Sequence, residues 1–201
     1  MVLGDPRADA RLFPYLPSLP GAAEEAERVA AVYSNRSLAI GPDATREALL
    51  AGLRGRSVLH VAAHALVNAA DPARSALILA PDATSPSGAL TAAEIAALPL
   101  GDVRTVVLAA CDSATGPMAG AEGSLSLARA FLAARVPSVV ASLWPIADRR
   151  SVELVTALHA HLSYGNDPAA SLRAAQLRML ASRDAFLSSP ATWAAFEALG
   201  G

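Results

Sequence analysis

Residues Thr105–Gly116 read TVVLAACDSATG, a run of β-branched and small apolar residues that stops at Cys111 and gives way to turn formers. Short apolar runs without strict alternation suit strands buried on both faces, as in parallel sheets covered by helices. Three more segments share the pattern: SVLHVAAHA (Ser57–Ala65), SALILA (Ser75–Ala80) and PSVVASLW (Pro137–Trp144). Helical periodicity fills the intervals. GAAEEAERVAAVYS (Gly21–Ser34) places Ala23, Ala26, Val29 or Ala30, and Tyr33 on one face, with Glu24, Glu25, Glu27 and Arg28 mostly opposite. GPDATREALLAGLRG (Gly41–Gly55) opens with Asp43 as a cap and closes on glycine. GSLSLARAFLAAR (Gly123–Arg135) reads as a crossover helix, and DRRSVELVTALHAHL (Asp148–Leu162) as a helix capped by Asp148. Closing helices are expected over Asp167–Arg183 and Pro190–Leu199, the last pinned by Trp193 and Phe196. VLGDP near the start reads as the end of a strand, and Ala80–Thr91 as a surface loop. Strands alternating with crossover helices define an α/β chain whose mainly parallel sheet carries helices on both faces.

At 201 residues the chain fits one domain, expected over 1–201, and its abrupt start suggests part of a longer protein. No 18-residue uncharged apolar stretch stands out as a membrane span, and no leader pattern is visible, so a cytoplasmic location away from membranes is expected. The net charge is −2 and all 16 basic residues are arginines scattered among acids, which lacks the basic stripe of a nucleic-acid binder. The lone cysteine excludes an internal disulfide and a thiolate-rich zinc site. Cys111 is then either a buried core thiol or a nucleophile. His159 and His161, two residues apart on a helix, do not share a face, which argues against a joint metal site and for surface and packing roles.

Sites on parallel α/β sheets form outside the carboxyl ends of the strands. His64 and Cys111 both fall at strand exits, so parallel neighbouring strands would bring imidazole and thiol to one rim. A thiol near its ordinary pKa of about 8.5 is mostly neutral at pH 7, and an imidazole can take its proton and later protonate a leaving amine. Main-chain N–H groups at the same exits would stabilise the oxyanion. Small neighbours leave room for a peptide.

LHVAAHA, VVLAACDSATG, GAEGSLSLARAFLAARVPSVVASLWPIAD and PATWAAFEALG, in this order, resemble the CHAT family of caspase-like cysteine peptidases, which are often attached to TPR repeats. The resemblance runs from LPGAAEEAERVA to the C-terminus. It implies a caspase-like three-layer sandwich, His64 as catalytic histidine and Cys111 as nucleophile, close to the caspase spacing of about 50 residues. It also implies a protein or peptide substrate, a regulatory region such as TPR repeats, and no metal or organic cofactor. His60 matches the family's non-catalytic strand histidine and is expected to point into the structure. The backbone N–H groups of Ala65 and Cys111 form the implied oxyanion hole, with Ala65 standing where the family usually has glycine. Asp112, Ser142, Leu143, Trp144 and Asp148 are the residues expected along the substrate groove. Asp148 and Trp144 carry the competing roles of helix cap and core residue. A caspase-like scaffold without activity and a small-molecule amidase are the rival functions.

Overall fold

The computed structural model describes residues 1–112, 122–144 and 151–201, with Cys111, Asp112 and residues 122–125 described by their backbone alone. In chain order the elements are β1 (Val2–Gly4), α1 (Pro20–Val32), β2 (Leu38–Ile40), α2 (Arg46–Gly52), β3 (Val58–Ala62), β4 (His64–Leu66) and β5 (Ala76–Ile78). They continue as β6 (Ala89–Thr91), α3 (Ala92–Ala96), β7 (Thr105–Leu108), β8 (Cys111–Asp112), α4 (Glu122–Ala133), β9 (Ser138–Ser142) and α5 (Ser151–Leu162). The chain closes with α6 (Pro168–Leu180), α7 (Pro190–Trp193) and β10 (Phe196–Gly200).

The main sheet has the order β10-β9-β7-β3-β1-β2, parallel except for β10. Successive side chains alternate between its faces. Leu59 and Val61, Val106 and Leu108, and Val139 join a core with Leu49, Leu127 and Phe131, contributed by α2 and α4. Val2, Val107 and Val140 join the opposite core with Val29, Leu154, Leu158, Leu172 and Met179 of α1, α5 and α6. Both faces are therefore apolar and covered, as the unbroken apolar runs predict, and the three layers agree with the caspase-like sandwich that the resemblance implies. Gly4 lets α1 lie directly on β1, because a Cβ there would overlap the Cβ of Ala26 and come within 2.7 Å of the Ala22 carbonyl.

Several local expectations are corrected. Ser57–Ala65 is two strands, since the chain leaves the main sheet at Ala63 and re-pairs as β4 in a second sheet of order β6-β5-β4-β8. Ser75–Ala80 contains β5, which pairs antiparallel to β4 and β6 in that second sheet and is not a parallel strand of the main one. The expected loop Ala80–Thr91 ends in β6, and a Thr91–Glu94 capping box starts α3. Thr45, whose hydroxyl accepts from the Ala48 N–H, caps α2 in place of Asp43, which ends a short 3-10 turn. The segment over 190–199 is one helical turn followed by β10, antiparallel to β9, so Phe196 anchors a strand and not a helix. Among the described residues no helix is long and apolar enough to cross a membrane.

Candidate active site

Two neighbouring parallel strands, β3 and β7, leave the main sheet side by side, with Val61 paired to Leu108. Each departs through alanines, Ala62–Ala63 from β3 and Ala109–Ala110 from β7, and each re-pairs at once, as β4 and β8. The re-pairing is parallel and its register sets His64 opposite Cys111 and Ala65 opposite Asp112. Register-paired residues lie on one face of a sheet, with strands about 4.8 Å apart. His64 and Cys111 are thus brought together by backbone pairing.

His64 is buried, and its Nε2 lies 2.7 Å from the carbonyl oxygen of Pro17. A carbonyl only accepts, so Nε2 is the donor of this contact, which favours the tautomer with the hydrogen on Nε2 over the one with it on Nδ1. Pro17 belongs to the segment joining β1 to α1. That segment is tied down by Asp5, whose carboxylate accepts from the Leu19 N–H at 2.6 Å and whose own N–H donates to the Ala62 carbonyl at 3.0 Å. A main-chain acceptor carries no residue-type signal, so sequence reasoning had no means of finding Pro17.

Ala65 is buried in β4. Among the described residues other than glycine, positive φ occurs only at Asp5 and Arg135. The position therefore does not demand the left-handed backbone that favours glycine, and alanine presents its N–H there without strain.

The residues expected along the groove diverge. Ser142 is buried and donates its hydroxyl to the Ala110 carbonyl at 3.1 Å, joining the end of β9 to the residue before Cys111. Leu143 is partly buried and its N–H bonds the Ala195 carbonyl at 2.8 Å. Trp144 is 37% exposed at the exit of β9, which separates it from the core reading. Asp112 is placed by its backbone beside Ala65, and Asp148 lies outside the described residues.

Behind the site, on the α1–α5 side of the main sheet, polar groups form a buried chain that the sequence reading only touched. His60 is fully buried as expected, with Nε2 3.2 Å from Glu25 Oε1 and Nδ1 3.2 Å from His159 Nε2. His159 Nδ1 lies 2.8 Å from the Tyr33 hydroxyl, and Ser151 donates to Glu25 Oε2. Burial, and then the neighbouring His60, hold the His159 imidazole well below its ordinary pKa, so it stays neutral; burial also raises the Tyr33 phenol. His159 is thereby a core residue, whereas His161 is only partly buried. Glu25, expected on the outer face of its helix, is 1% exposed. The signal was its place one turn from both Ala22 and Val29 on the apolar stripe. A cavity of about 520 Å³ lies at the opposite end of the sheet, lined among others by Val2, Tyr33, Arg36, Arg56 and His159, and is separate from the His64 rim. Among the described residues no group of three His, Cys, Asp or Glu is arranged to hold a metal.

A mostly parallel sheet between helical layers, whose histidine and cysteine strands peel away in register, defines a caspase-like α/β domain. The chain belongs to the CHAT domain family, whose model matches residues 1–201, and this family is caspase-like and peptidase-related. Tetratricopeptide repeat protein 28 of Mus musculus is 30% identical over 219 residues, covering 90% of this chain and 8% of that protein. Tetratricopeptide repeat protein 28 of Homo sapiens is 36% identical over 111 residues, covering 55% of this chain and 4% of that protein. The chain thus spans less than a tenth of the length of these relatives.

Proposed function

We propose that this CHAT domain is a cysteine endopeptidase that cuts a partner protein with a His64–Cys111 dyad. The observation that carries the reading is the β4–β8 register, which sets the two residues opposite each other. The Pro17 carbonyl supports it by holding the hydrogen on Nε2, which makes Nδ1 the nitrogen able to take a proton from the thiol.

In this reading Nδ1 of His64 accepts the Cys111 proton and the thiolate sulfur attacks the scissile carbonyl carbon. The carbonyl electron pair moves to oxygen, where the N–H groups of Cys111 and Ala65 stabilise it. Collapse expels the amine, which takes the proton from His64 and leaves a thioester on Cys111. Water, deprotonated by the same imidazole, hydrolyses the thioester and frees the acid. Asp112, Ser142, Leu143, Trp144 and Asp148 border the peptide, with Ser142 acting through the backbone and Trp144 offering an exposed ring. No step calls on a metal or organic cofactor.

The relatives carry tetratricopeptide repeats in their names. We extend the reading to an attached or separate repeat region that restrains the domain or delivers its substrate, in the cytoplasm. The experiment that tests the activity is covalent labelling with peptide acyloxymethyl ketones differing in the first residue, followed by intact mass on wild type and His64→Ala. Because Cys111 is the only thiol, any thiol adduct locates itself. Labelling that depends on both His64 and the peptide supports the dyad. Slow labelling indifferent to both, in folded protein, establishes a caspase-like scaffold instead.

A further inference from the structure

Glu25 and His60 are 1% and 0% exposed, and burying a carboxylate in an apolar layer costs several kcal/mol unless partners compensate it. The core on this side of the main sheet is otherwise built from apolar residues, among them Ala26, Val29, Ala30, Val107 and Leu158. The pair is close, at 3.2 Å, but not well aligned: neither Glu25 Oε1 nor His60 Nε2 makes a directed hydrogen bond to a described group. Stability alone is therefore a weak reason for it.

The position of the pair in the chain suggests a better reason. Glu25 sits eight residues after Pro17 and His60 four residues before His64. The 2.7 Å contact of His64 Nε2 with the Pro17 carbonyl and the Glu25–His60 contact are two rungs between the same two pieces of chain. One piece is the entry to α1 and its first turns; the other is β3 and its exit into β4. A contact between named polar atoms adds a constraint on register to the apolar seating of α1 on the sheet. Ser151 donates to the second Glu25 oxygen, which keeps the carboxyl group from turning away from His60.

We propose that Glu25 and His60 are a positioning pair for His64, holding its ring in the Nε2–H tautomer against Pro17. The catalytic consequence rests on the dyad reading above; the effect on the tautomer does not.

The test uses the ring nitrogens of His64 in long-range ¹H–¹⁵N spectra, together with the pH profile of Cys111 alkylation. Three proteins are compared: wild type, Glu25→Gln, and Thr91→Ala, a variant that loses the capping box of α3 and touches neither rung. Wild type is expected to show one Nε2–H tautomer. Glu25→Gln is expected to show a mixture and to slow peptide-ketone labelling about tenfold or more, the scale of effect that misplacing a reacting group produces. Thr91→Ala, destabilised but not mispositioned, is expected to match wild type in both. Should Glu25→Gln fail to fold, Glu25→Asp withdraws the carboxylate by one methylene and is read the same way. A Glu25 variant that loses stability yet keeps a single Nε2–H tautomer and an unchanged pH profile overturns the proposal. If labelling of wild type proves indifferent to His64→Ala, the dyad reading fails while the spectra still decide the positioning.

Discussion

Ser142 Oγ donates to the Ala110 carbonyl oxygen across 3.1 Å, fastening the end of β9 to the residue that precedes Cys111. Both partners are buried. Replacing Ser142 with alanine leaves that carbonyl without its donor, and an unsatisfied buried acceptor costs about 1–3 kcal/mol. Ser142→Ala is therefore expected to lower the unfolding free energy by that amount, read as a lower urea midpoint at an unchanged denaturant slope. The same change loosens the tie between the end of β9 and the residue before β8, so labelling of Cys111 should slow by more than the folded fraction explains. Intact-mass labelling rates measured well below the unfolding transition check this second effect.

His159 gives a pH dependence whose sign is fixed by burial. Its imidazole is held neutral in the folded protein by burial and by His60, whereas in the unfolded chain it protonates near its ordinary value of 6.5. Below that pH the unfolded state binds the extra proton, so stability falls as pH falls through 6.5 and continues to fall toward the depressed folded value. The slope from this one group approaches about 1.4 kcal/mol per pH unit. Urea denaturation of wild type at pH 7.5 and 5.5 should show the loss. In His159→Phe the slope is expected to shrink, together with a pH-independent cost from the Tyr33 hydroxyl left without its ring-nitrogen partner.

The apolar runs Val58–Ala62, Thr105–Leu108 and Ser138–Ser142 were legible because a strand buried on both faces has few other ways to be written. The strand-exit rule put His64 and Cys111 at strand ends, and their sharing a rim was conditional on neighbouring strands, a condition that the β3–β7 pairing meets. What was not legible depended on partners far away in the chain. Phe196–Gly200 reads as helix by composition, with Glu197 and Ala198 inside it, and becomes a strand because the edge of β9 offers a ladder. The break at Ala63 has no turn residue to announce it, only a second sheet waiting at Ile78 and Cys111. Pro17 acts through its carbonyl, which every residue has. Glu25 was assigned to water because carboxylates usually are, and its burial is explained only by His60, Ser151 and the packing of α1 on α5.

Gly4 tests how rigidly the entry to α1 must be held. A methyl group there would overlap Ala26 and crowd the Ala22 carbonyl at 2.7 Å, so α1 must lift from β1. Overpacking of this kind costs about 1–3 kcal/mol. The movement begins only a few residues beyond Pro17, so Gly4→Ala is also expected to weaken the contact of Pro17 with His64, which the ring ¹⁵N shifts of His64 report. Adding Ala26→Gly removes the methyl–methyl overlap but not the clash with the Ala22 carbonyl. It also places a glycine inside a helix at a cost of about 1 kcal/mol. The double variant should therefore regain the His64 signal more fully than it regains stability. Recovery of stability without recovery of the signal would show instead that α1 can move without disturbing Pro17.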